Sequence, residues 1–75
     1  MVKVTMGTGE QHAFDTANGA EMDSDSGQVL VFERLGKHRR ILATLSGSSV
    51  VQADIYFGNT LLGSIQGGAR SRDAG

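Results

Sequence analysis

The chain has 75 residues, 39% of them hydrophobic, with 11 glycines, three phenylalanines, one tyrosine and no cysteine, proline or tryptophan. That length allows one small domain burying about 60% of the surface its unfolded chain exposes, and the missing cysteines exclude disulfides, thiolate metal sites and a cysteine nucleophile. Seven Lys plus Arg against eight Asp plus Glu leave a net charge of -1, which gives no general attraction to nucleic acid or acidic membrane.

Val2, Val4 and Met6 alternate with Lys3 and Thr5, the period-two pattern of a half-buried strand. Gly7-Thr8-Gly9-Glu10 supplies a turn, and residues 11 to 14 return as a second strand with His12 and Phe14 on one face. Asn18-Gly19 marks another turn, since both residues tolerate positive φ. Ala20 to Met22 reads as a third, very short strand, followed by a polar loop, Asp23-Ser24-Asp25-Ser26-Gly27.

Val29-Leu30-Val31-Phe32 places two apolar residues on each face, as in a strand covered on both sides. Leu35-Gly36-Lys37-His38 forms a hairpin tip into a strand from Arg39 to Leu45, with Ile41, Ala43 and Leu45 opposite Leu42 and Thr44. A short helix over 39–45 is the alternative, because Arg, Leu and Ala are good helix formers. After a turn at Ser46-Gly47-Ser48-Ser49, Val51, Ala53, Ile55 and Phe57 are expected to line the inner face of a long strand. Gln52, Asp54 and Tyr56 then point away. Leu61, Leu62 and Ile65 form either a last edge strand or a segment that adds to a partner. Residues 66–75 hold almost nothing to bury and are expected to form a flexible tail rich in glycine and arginine.

Charge is distributed unevenly. Residues 1–25 carry Lys3 against Glu10, Asp15, Glu21, Asp23 and Asp25, whereas residues 26–45 carry Arg34, Lys37, Arg39 and Arg40 against Glu33. Acidic and basic strands lying side by side would attract across a sheet.

Signatures of chemistry are sparse. A calcium loop starting at Asp23 would need glycine at its sixth position and glutamate at its twelfth, where Gln28 and Arg34 stand. His12 and His38 lack partners at zinc-ligand spacing, and His38 lies among Lys37, Arg39 and Arg40. The serines at 46, 48 and 49 have no nucleophile elbow, and the glycine clusters lack the Gly-Lys-Ser/Thr ending of a phosphate loop.

From Phe14 to Ile55 the chain runs through a short aromatic strand, Asn-Gly-Ala-Glu, an acidic loop, Val-Leu-Val-Phe, a glycine tip and Ser-Gly-Ser-Ser leading into Val-Val-Gln-Ala-Asp-Ile. This succession resembles short all-β proteins of unknown function from actinobacteria and their phages. The resemblance implies a small β fold in a phage or accessory protein, with no activity and no functional residue to carry over. The segment with Leu61, Leu62 and Ile65 departs from it.

The expectation is one all-β domain over residues 1–65, an antiparallel sandwich or barrel-like fold of five or six short strands. It is expected to be cytoplasmic and non-catalytic, with no cofactor, metal or membrane segment. It would act through a protein partner or a second copy, a dimer being favoured. Candidate contact residues are Arg34, Lys37, His38, Arg39, Arg40, Leu61, Leu62 and Ile65. The alternative is nucleic-acid binding by the basic tip at residues 34–40.

Overall fold

In the computed structural model, which describes residues 1–69, apolar alternation resolves into seven strands. They are β1 (Val2–Met6), β2 (Gln11–Phe14), β3 (Gly19–Asp23), β4 (Gln28–Leu35), β5 (His38–Ser46), β6 (Val50–Phe57) and β7 (Thr60–Gln66). Two antiparallel sheets result, one ordered β2-β1-β6-β7 and the other β3-β4-β5. β3 lies against β6 and β7. The shortest dimension is 16 Å, room for two sheets about 10 Å apart and no third layer.

The sheets meet through small side chains. Val2, Val4, Val50 and Ala53 from the larger sheet face Ala20, Val29 and Val31 from the smaller, with Ala17 of the connection beside them. β-branched valine suits the pleated surface. The chain passes between sheets after β2 and again through a single 3₁₀ turn, Gly47–Ser49. At that turn the Gly47 N–H donates to the Gly27 carbonyl at 2.9 Å.

Hairpin geometry follows the glycines. Gly36 (φ +62°) and Gly58 (φ +60°) each occupy the first central position of a two-residue loop, where a type II′ turn needs positive φ.

Some expectations hold and others are corrected. The described residues form seven strands rather than five or six, and of the sandwich and barrel-like forms the two sheets are the sandwich. Residues 39–45 are the expected strand and not the alternative helix, because β5 completes the β4 ladder along its full length. Leu61 to Ile65 belong to β7, and the last strand reaches Gln66. The flexible tail expected from residue 66 therefore does not begin there. N–H groups of Gly67, Gly68 and Ala69 donate to the carbonyls of Val51, Gly47 and Val50 at 2.8, 2.7 and 2.9 Å. The remainder of that expected tail, residues 70–75, lies outside the described residues.

Facing is also shifted by three β-bulges, each placing one extra residue in a strand. Val51 is extra where β6 pairs β1, so Val50 takes the fully buried place expected for Val51. Leu42 is extra in β5 and packs on the core, while Ile41 is 42% exposed. Leu62 is extra in β7. Phe57 has the expected phase but no cover, and is 79% exposed.

On its outer face the smaller sheet buries one aromatic ring. Phe32, only 7% exposed, lies over Gly19 in the neighbouring strand, and a Cβ at Gly19 would come within 2.5 Å of the ring's Cζ. A Cβ at Gly63 would meet nothing within 4 Å. Gly19→Ala is therefore expected to cost about 1–3 kcal/mol through overpacking, while Gly63→Ala stays within about 0.5 kcal/mol of the parent. Thermal melts check this, and equal melting temperatures for the two variants would contradict the packing described.

Candidate functional site

Within the basic tip, a candidate contact surface and the alternative nucleic-acid site, Arg39 and Arg40 are engaged in holding their own sheet together. Arg39 extends from β5 across β4, its guanidinium 4.9 Å from the Phe32 ring centroid, and pairs with Glu21 on β3. Arg34 lies 5.7 Å from the same centroid. Arg40 pairs with Glu33 across the β4–β5 ladder at 3.2 Å. The acidic and basic strands thus attract as expected, although β4 separates β3 from β5.

The Arg34 backbone is held from outside the ladder. The Asn18 side-chain amide donates to the Arg34 carbonyl at 2.9 Å and accepts from the Arg34 N–H at 2.7 Å. Asn18 thus continues strand pairing with a side chain, a role hidden behind the turn signal of Asn18-Gly19. Among the described residues, no carboxylate forms an ion pair with Arg34, Lys37 or His38.

The acidic loop is organised by its own hydrogen bonds. The Ser26 hydroxyl donates to Asp23 Oδ2 at 2.9 Å, and the Asp25 N–H donates to Oδ1 at 3.1 Å. These bonds, the serine's first, lower the Asp23 pKa below its ordinary 3.8, with a smaller contribution from Arg39. Among the described residues, no three metal-ligating side chains gather. His12 lies 3.5 Å from Glu10, both well exposed, and Ser46 and Ser48 share a 2.9 Å hydrogen bond.

A different feature emerges where the sheets run past their core. Leu35 follows the inward phase of Val29 and Val31, and Phe57 follows that of Ala53 and Ile55, yet no opposite strand covers either. An open cleft of about 570 Å³ lies at this end. Ala20, Phe32 and Gly36 of the smaller sheet and Ile55 of the larger line it, with Asn18 and Arg34 at the rim. On the adjoining β6–β7 hairpin, Leu61 and Leu62 are 53% and 65% exposed, whereas Ile65 packs on the core. Ile65 is thus removed from the candidate contact surface, and Phe57 joins it. Its alternation with Ala53 and Ile55 suggests burial, and only its exposure in the folded chain reveals otherwise.

Compared with family models, curated proteins and solved structures, the chain matches none.

Two outcomes test these assignments. Arg39→Ala uncovers Phe32 and unpairs Glu21, and is expected to cost about 1 kcal/mol, lowering the melting temperature by roughly 4–8 °C. Lys37→Ala should leave it almost unchanged, so equal effects would show that Arg39 does not brace the sheet. For Asp23, a folded pKa below the unfolded value means that folding favours the charged form. Its contribution is present above the unfolded pKa and is lost as pH falls through the lowered one. NMR titration should find a midpoint below 3.8 that rises in Ser26→Ala. A midpoint that does not move would refute the serine's role.

Proposed function

We propose that the protein is a non-catalytic binding module that acts by protein–protein contact, with a second copy of itself as partner, through the β6–β7 hairpin. The carrying observation is the exposure of Phe57, Leu61 and Leu62 within six residues of one hairpin. Clustered apolar exposure of this kind marks interaction surfaces.

Charge favours a second copy. Ile55 to Ala69 is the longest uncharged run in the chain, so a two-fold contact that sets this hairpin against itself brings no like-charged side chains of the hairpin together. The basic β4–β5 tip set against itself would juxtapose cations. Polyanion binding at that tip would compete with Glu21 and Glu33 for Arg39 and Arg40. Lys37, His38 and Arg34 would then supply most of the phosphate contacts, a short footprint for electrostatic binding.

Three apolar anchors fall short of the roughly 800 Å² per partner of a standard interface, so association in the micromolar range or weaker is expected. Sedimentation equilibrium tests this. The mass should rise with concentration from 7.9 kDa toward twice that value, and Phe57→Asp combined with Leu62→Asp should hold it at 7.9 kDa with the strand spectrum intact. A parent that stays at 7.9 kDa up to millimolar concentration overturns the reading.

A further inference from the structure

We infer that the cleft at the open end of the sandwich receives Phe57 of a second copy, so that two molecules associate reciprocally, each phenyl ring in the other's cleft. This rests on the self-association proposed above and specifies the contact that carries it.

Four observations lead to it. The first is an unmet pairing of ring and cavity. Phe57 is 79% exposed, so it does not occupy its own cleft, although it is the largest exposed apolar side chain on the molecule's described surface. The cleft, open and about 570 Å³ in volume, exceeds what a phenyl ring needs, and Ala20 and Phe32 of the smaller sheet and Ile55 of the larger give it an apolar lining between Asn18 and Arg34.

The second is adjacency. Ile55 lines the cleft and shares a strand face with Phe57, two residues along β6 and about 7 Å away at strand rise. A two-fold contact requires that if residue i touches j, then j touches i. Ring and receptor side by side on one surface satisfy that condition with a single axis passing between them. The two Ile55–Phe57 segments would run past each other antiparallel.

The third is the rim. Arg34 has no ion-pair partner among the described residues, lies against Phe32 at 5.7 Å, and borders the cleft. A guanidinium so placed can also cover an incoming aromatic ring. It would sit between Phe32 of its own chain and Phe57 of the second copy. The fourth is Leu35, 61% exposed at the same end, which extends the apolar lip over which the ring would enter. No charged residue adjoins Phe57 on its hairpin to oppose insertion, since the nearest along the chain is Asp54.

The absence of tryptophan makes the test direct. In Phe57→Trp, indole emission should shift to the blue and resist iodide quenching as concentration rises, with the same midpoint as the doubling of mass. In the parent protein, mixing isotope-labelled and unlabelled copies should give an intermolecular NOE from the Phe57 ring to the Ala20 methyl. Phe57→Ala should weaken association by roughly 30-fold or more, as for a buried aromatic anchor. Doubling of mass with the F57W indole still solvent-exposed and no such NOE overturns this inference but leaves self-association standing, with Leu61 and Leu62 as its contacts. A blue shift without change in mass shows the ring entering its own cleft, and also overturns it. A mass fixed at 7.9 kDa for the parent overturns both.

Discussion

Because the two sheets meet through Val2, Val4, Val29, Val31 and Val50 with alanines between them, the interior is shallow and the sheets must approach closely. Every other feature adjusts to that limit. Large apolar side chains reach this interior only in part, as Phe14, Leu42, Leu45, Ile55 and Ile65 do, or are placed elsewhere: Phe32 on the outer face, Phe57 and Leu35 beyond the core, Leu61 and Leu62 on a projecting hairpin. A wider core would take up these residues and close the end cleft. A narrow one yields a small domain with apolar groups left over, and those groups are what it has available for contact.

The outer face of the smaller sheet solves the same problem with polar residues. Phe32 rests on the space left by Gly19, and arginines close over it, Arg39 tied in place by Glu21. The guanidiniums therefore serve as covering surface as much as charge, in the way long cationic side chains shield apolar neighbours while remaining wet. Their sequence clustering looks like a binding tip. Their geometry is that of a brace linking three strands.

Legibility from sequence followed the range of the interaction. Val2 and Val4, Val29 and Val31, and the glycine tip at 36 act through local alternation and backbone φ, and the strands and hairpin they imply are present. The bulges at Leu42, Val51 and Leu62 depend on which residue lies across the ladder, and nothing in the strand's own pattern reveals them. Val50 and Val51 are the same residue type, so only pairing with β1 decides which is buried. The Glu21–Arg39 pair spans two strand connections, and Phe57 alternates like a core residue yet stands exposed in the folded chain. The seventh strand was legible only as one of two readings of Leu61, Leu62 and Ile65, because Gly63 within it and the glycines on either side dilute the apolar signal.

The bulges have a consequence for crowded conditions. β5 and β7 are both outermost strands, long for a chain this size, and β7 carries no charge to repel a neighbour. Each has one surplus residue partway along it, so its free backbone donors and acceptors fall out of step there. A foreign strand can align with one half of such an edge only by misaligning with the other. These two of the four sheet margins thus hinder the in-register addition of a foreign strand, the pairing that open-ended stacking into fibrils requires.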